Sequence, residues 1–172
     1  MTRLCLFVIA CGLAVAVPGS PGSSAAADAD KGIPAAQLRV ESVRVLFSQA
    51  GPVVLLKVHD KAIPIFVDII VAESIQGALS GKKPVRPLTH DLMHTILDAY
   101  TGTVSRVAIT LKDQIFHAAL TVVIQNVTRV FDSRSSDAIA LAIHFKAPIL
   151  VSQDLLDTAG VALEKKPGEI KL

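Results

Sequence analysis

Tryptophan is absent from this 172-residue chain, tyrosine occurs once, and the two cysteines, Cys5 and Cys11, both lie close to the N-terminus. From residue 12 onward there is therefore no thiol, which excludes a disulfide or a thiolate nucleophile from the body of the protein. No Gly-x-Gly-x-x-Gly follows a strand pattern and no Walker loop is present, so nucleotide cofactors have no support in the sequence. An excess of charge of either sign is also lacking, with 17 Lys and Arg against 15 Asp and Glu. Near-neutrality gives no global attraction to a polyanion, so any contact with nucleic acid has to come from local clusters. With a single Tyr and six Phe, one of them Phe7 near the start, a stacking platform for single strands has little material. The remaining Phe residues fall mostly in strand and helix patterns.

The N-terminus carries Arg3, an uncharged run Leu4–Val17, and a small-residue stretch ending Ala25-Ala-Ala-Asp-Ala. A basic start, a short apolar run and small residues at the exit form a secretory signal peptide over residues 1–29, cleaved near Ala27 or Ala29. The apolar run is shorter than the roughly 20 residues that span a bilayer as a helix, so no stable membrane span is expected after cleavage. Secretion, or residence in the periplasm of a bacterial cell envelope, follows as the expected location. Cleavage removes both cysteines and Arg3, leaving charges nearly balanced. The tail 164–172 is charged and expected to be loose.

Between these ends one domain is expected over residues 38–163. Leu38–Phe47 alternates polar and apolar and reads as a half-buried strand. Val53–Val58 and Ala62–Ile70 follow as strands joined at His59-Asp-Lys61. A helix is predicted from Ala72 to Leu79 with Glu73 in its first turn, ending at Ser80-Gly-Lys-Lys-Pro84. A second helix begins after Pro87, with Thr89 as its cap, Asp91 in its first turn, and an apolar stripe of Leu92, Ile96 and Leu97 with Met93 or Tyr100. Thr103–Leu111 and Ile115–Ile124 form a hairpin about Lys112-Asp-Gln114, and Val127–Phe131 pairs next. Ser136 is expected to cap an apolar helix Asp137–Phe145, followed by a strand Pro148–Val151 and a helix Gln153–Ala159 closed by Gly160. Hairpins mixed with helices argue an α+β fold, a mixed and mainly antiparallel sheet with packed helices in a single compact domain.

Two polar clusters stand out, each at a predicted helix start. In Asp132-Ser-Arg-Ser-Ser-Asp137, the carboxylates of Asp132 and Asp137 are of the type that holds a divalent cation such as Mg²⁺ or Mn²⁺, and Arg134 suits a phosphate or developing negative charge. The same residues would serve equally as helix-start and ion-pair groups. In Arg86-Pro-Leu-Thr-His-Asp-Leu92, His90 suits proton transfer and Asp91 favours the helix start or a cation. Lys82, Lys83 and Arg86 are the local cations that a phosphate backbone would meet, and they equally suit a soluble loop. His90 and His94 lie four apart on one helical face, as two metal ligands would. Asp91 is one methylene shorter than the Glu of a zinc-protease motif and no third ligand follows in the sequence, so zinc is disfavoured there. His59, His117 and His144 are scattered and carry no assigned role.

Together, Arg86–Leu92 and Asp132-Ser-Arg-Ser-Ser-Asp-Ala-Ile-Ala-Leu-Ala142 resemble the bifunctional nuclease domain family, with weaker support from Pro64-Ile-Phe-Val67, Glu73 and Ala147-Pro-Ile-Leu-Val151. The resemblance covers roughly Val40 to Gly160. It implies a compact α+β domain that self-associates as a homo-oligomer, with nuclease activity on RNA and DNA of the kind reported for some plant members. Where the family has Pro before the Ser-Asp-Ala step this chain has Ser135, and where it has Ile-Gly this chain has Ile69-Ile70.

The expected function is therefore divalent-metal-assisted phosphodiester hydrolysis of single- or double-stranded nucleic acid with little sequence preference. Its catalytic residues would be His90, Asp91, Asp132, Arg134 and Asp137, with metal on Asp132 and Asp137 and phosphate on Arg86, Lys82 and Lys83. The alternative is an exported domain without catalysis, serving binding, assembly or capture of a small anion. The apolar helix before Phe145, which needs cover on most sides, favours that alternative.

Overall fold

The computed structural model describes residues 37–82 and 84–163. The proposed leader, Lys83 and the tail lie outside these described residues. Thirteen elements follow in order: β1 (Gln37–Arg39), β2 (Ser42–Ser48), β3 (Gly51–Val58), β4 (Lys61–Phe66), α1 (Ile69–Ser80), α2 (Thr89–Ala99), β5 (Gly102–Lys112), β6 (Ile115–Ile124), β7 (Val127–Arg134), α3 (Ser135–Phe145), β8 (Ile149–Ser152), α4 (Gln153–Ala159) and β9 (Val161–Ala162). They form a five-stranded sheet β1-β8-β5-β6-β7 and a four-stranded sheet β2-β3-β4-β9. Every pairing is antiparallel except that of β5 with β8. This is the expected mixed, mainly antiparallel α+β fold in one compact domain.

Three hairpins are turned by residues with positive φ: His59 at 53° between β3 and β4, Asp113 and Gln114 at 51° and 62° between β5 and β6, and Gln125 and Asn126 at 48° and 65° between β6 and β7. Successive left-handed residues match the right-handed twist of the strands they join. Between the sheets lies one continuous apolar core. Val54, Leu56 and Ile63 from the smaller sheet, Ile75 from α1, Val107, Ile109 and Val151 from the larger sheet, and Ile139 from α3 are all fully buried within it. Helix α3 is its centre. Ala138, Ile139, Ala140, Leu141 and Ala142 are all buried, because α3 packs against β5, β6 and β7 while touching α1 and α2. Its unbroken apolar run is thus covered within the subunit.

Several local expectations are corrected. The run Leu38–Phe47 is two strands in different sheets. The chain crosses at Val40-Glu41, where Val40 N–H donates to Ile149 O (2.9 Å) and Glu41 N–H to Lys57 O (2.8 Å). Helix α1 begins at Ile69, three residues early, so Glu73 lies beyond its first turn. Strand β7 runs on to Arg134, which places Asp132 and Arg134 on a strand instead of in a turn. Thr89 and Ser136 are not caps. The capping positions are Leu88 and Arg134, with Thr89 and Ser135 as first helical residues. The largest correction concerns α2. Leu92, Met93, Ile96 and Tyr100 are exposed, only Leu97 of the stripe packs on the core, and the buried residue is His90. The Phe residues from Phe47 onward do fall in strands and helices, although Phe47, Phe66 and Phe131 are exposed there. Among the described residues no helix is long and apolar enough to cross a membrane.

Candidate functional site

The N-terminal ends of α2 and α3 meet, although the residues concerned are 47 positions apart. Strand β7 delivers Arg134 at its end, and α3 starts on the next residue, so Asp137 occupies the first turn of α3. There the orphan amides and the helix dipole favour a negative charge. Arg134 closes on it as a fork, with Nε donating to Oδ2 at 2.7 Å and Nη2 to Oδ1 at 3.0 Å. From the other side His90 Nε2 lies 3.2 Å from Asp137 Oδ1. An ionised carboxylate only accepts, so Nε2 carries the proton and Nδ1 is the nitrogen left to take one. The hydrogen bonds from Arg134, and secondarily the His90 contact, hold the Asp137 carboxyl below its usual pKa against the opposing pull of burial. Asp137 raises the pKa of Arg134 in return, with a smaller contribution from Asp68, whose Oδ2 is 3.6 Å from Nη1.

A second pairing crosses the same helices in the reverse sense. Asp91, on α2, accepts the Leu88 N–H through Oδ2 at 2.8 Å, and its Oδ1 lies 3.8 Å from His144 Nε2 on α3. The His144 side chain is only 10 % exposed and its Nε2 has no hydrogen-bond partner. Burial pushes its pKa down, with Asp91 opposing and the neighbouring His94 and His90 reinforcing. The His94 ring lies against those of His144 and Phe145, tilted to both, with ring centroids at 5.5 and 4.5 Å. Asp91, His94 and His144 border a cavity of about 390 Å³ that also takes in Gly77, Gly81 and Lys82.

Of the residues singled out in the sequence, His90, Arg134 and Asp137 are in direct contact and Asp91 is His90's neighbour on α2. Arg86 and Lys82 are exposed on the loop between α1 and α2, and Lys82 lines the cavity. Asp132 is exposed on β7, opposite Ala119. Lys83 lies outside the described residues. Both Asp137 oxygens already accept hydrogen bonds, and among the described residues no group of three His, Cys, Asp or Glu side chains is gathered to hold a metal ion.

Two participants were missed. Asp68 reaches Arg134 across 66 positions, which no local pattern announces. His144 did leave a trace, because it follows Asp137 by seven residues, two helical turns, and so shares its face. That spacing together with His90, Asp91 and His94 on α2 was the signal available.

The model of the bifunctional nuclease domain matches residues 53–164. The uncharacterized proteins MT1877 and Rv1829, from two strains of Mycobacterium tuberculosis, are each 32% identical over 142 residues, covering 77% of this chain and 81% of their own length. On a match that spans most of the domain and both polar clusters, the chain belongs to the bifunctional nuclease domain family.

Proposed function

We propose that the protein hydrolyses phosphodiester bonds of RNA or DNA, with His90 as the proton acceptor, Asp137 as the group that orients it, and Arg134 as the cation facing the phosphate. The observation that carries this reading is the 3.2 Å contact between His90 Nε2 and Asp137 Oδ1, which joins the two clusters into one site. Asp137 fixes the tautomer by accepting from Nε2, so the basic Nδ1 takes the proton of an attacking water as its oxygen bonds to phosphorus. The sugar–oxygen bond to phosphorus breaks, and the leaving oxygen takes a proton from solvent. Arg134, 65 % exposed, offsets charge on the phosphate, while Arg86 and Lys82 supply contacts to the backbone that carry no sequence preference. Membership of a nuclease domain family supports the reaction class.

The test is cleavage of single- and double-stranded RNA and DNA by purified protein in Mg²⁺, Mn²⁺ or chelator. His90→Gln is expected to lower the rate by ~10²–10⁴-fold, the range for a lost proton-transfer group. Activity that survives both His90→Gln and Asp137→Asn in folded protein refutes the assignment. The three metal arms report separately whether a divalent cation takes part.

One observation favours assembly alongside catalysis. Leu92, Met93, Ile96 and Tyr100 expose a continuous apolar stripe on α2, wider than scattered surface residues require. We read it as the contact of a homo-oligomer, formed after export to the periplasm or medium.

A further inference from the structure

Among the described residues two buried side-chain polar atoms lack a partner, Ser74 Oγ and His144 Nε2, and of the two residues only His144 lines the cavity. Its Nε2 faces Asp91 Oδ1 at 3.8 Å, beyond hydrogen-bond range, at the edge of the cavity enclosed by the end of α1, the loop after it, α2 and α3. Burying an imidazole nitrogen unpaired costs free energy, so the position calls for a partner that is not part of the chain. We infer that Asp91 Oδ1, His144 Nε2 and His94 form a binding site for a first-row transition-metal dication such as Zn²⁺, Co²⁺ or Mn²⁺.

The separations suit such an ion. Two ligand atoms at bonds of about 2.0–2.1 Å with a tetrahedral angle stand about 3.4 Å apart, so 3.8 Å needs a closure of only a few tenths of an ångström. Asp91 is already oriented, because Leu88 N–H holds Oδ2 and leaves Oδ1 toward His144. His94 is three residues beyond Asp91, hence beside it on α2, and its ring centre is 5.5 Å from that of His144. These three side chains are not yet gathered into a coordination sphere, and the ion would draw His94 inward.

Charge selects a cation over an anion. The cavity wall includes Gly77, Ala78 and Gly81 at the C-terminal end of α1, the negative end of the helix dipole, and no basic residue occupies the last turn. Asp91 adds a carboxylate, and Lys82 is the one cationic side chain among the described lining residues. Burial favours the neutral form of His144, the form that ligates. Imidazole nitrogen with carboxylate oxygen selects zinc-like ions, whereas Mg²⁺ and Ca²⁺ prefer oxygen alone. The inference stands independently of any hydrolytic activity.

Titration of chelator-stripped full-length protein with Co²⁺ provides the test. We expect one tight equivalent with the intense visible bands of four- or five-coordinate cobalt, displaced by Zn²⁺. His144→Asn and Asp91→Asn should each weaken binding ~100-fold or more, with a smaller loss for His94→Gln. His59→Asn, on an exposed hairpin, should bind as the parent does. Melting of each variant without metal establishes that it is folded. Imidazole ¹⁵N resonances of the unsubstituted protein give a second reading, in which Zn²⁺ should shift the His144 and His94 signals. Cobalt spectra like those of the aqueous ion, parental affinity in folded His144→Asn, or unshifted His144 resonances at saturating Zn²⁺ would each overturn the inference.

Discussion

Replacing Asp137 with Asn changes almost no volume but alters the hydrogen-bond arithmetic of the site. Three donors converge on this carboxylate: Arg134 Nε, Arg134 Nη2 and His90 Nε2. An amide offers one acceptor oxygen and turns its NH₂ toward a donor, so at least one hydrogen bond becomes a donor–donor contact. The Arg134 arm is 65 % exposed and is worth about 0.2–1 kcal/mol, as screened pairs are. The His90 arm is different, because that side chain is only 8 % exposed. Leaving a buried donor poorly paired costs about 1–3 kcal/mol. Asp137→Asn should therefore destabilise by about 1–3 kcal/mol, a fall in melting temperature of roughly 3–12 °C for a domain of this size. Arg134→Ala, which leaves His90 paired, should cost less than about 1 kcal/mol. The pH dependence has a definite sign. Asp137 has a depressed pKa in the folded protein, so its contribution is fully present above the unfolded carboxyl pKa, about 4, and is lost as pH falls through the lower folded value. Paired thermal and urea melts of the two proteins should show a constant stability gap from pH 5 to 8 that narrows below about pH 4. A gap below about 0.5 kcal/mol at pH 7, or a loss in Arg134→Ala as large as in Asp137→Asn, would refute the claim that the buried His90 contact dominates.

Ser135 is the first residue of α3 and follows Arg134 at φ −62°, ψ 142°, an extended conformation that a following proline favours, so Ser135→Pro should raise stability by about 0.4–1 kcal/mol in urea titration. No increase would mean that the Ser135 amide or hydroxyl has a partner. Gly160→Ala would put a methyl 2.2 Å from Leu156 O and 3.0 Å from its Cδ1, and a loss of about 1–3 kcal/mol is expected, with neutral stability counting against the tight end of α4. Ile96→Glu, on the exposed stripe of α2, should reduce the mass found by light scattering to that of the single chain without lowering its melting temperature. Unchanged mass would remove α2 from the assembly contact.

The fold was largely legible wherever short-range rules decide. The β-rich runs Thr103–Leu111 and Ile115–Ile124 located β5 and β6 to within a residue, and Gly81 at φ 69° ends α1 where the sequence placed its stop. Legibility failed where tertiary packing overrode local pattern. Asp132 and Arg134 looked like turn residues, but β6 offers backbone partners as far as Arg134, so pairing with His117 and Ala119 keeps them extended. The stripe Leu92, Met93, Ile96 and Tyr100 has the period of a buried face, yet α2 turns His90 and Leu97 inward because Asp137 and the core lie on that side. Periodicity reports that an apolar face exists and cannot report what covers it.

By itself the sequence determined the fold class and, through the resemblance of its motifs, the family, together with the two polar clusters Arg86–Asp91 and Asp132–Asp137 that adjoin the starts of α2 and α3. The fold class and the clusters follow from local spacing, strand periodicity and turn chemistry, which depend on neighbours along the chain. Tertiary structure alone decided that the two starts meet at His90 and Asp137, that Asp132 lies on β7 opposite Ala119, and that His144 faces Asp91 at the edge of a cavity. Each is a contact between groups far apart in sequence, and the packing of α2 against α3 above the larger sheet fixes the distances between them.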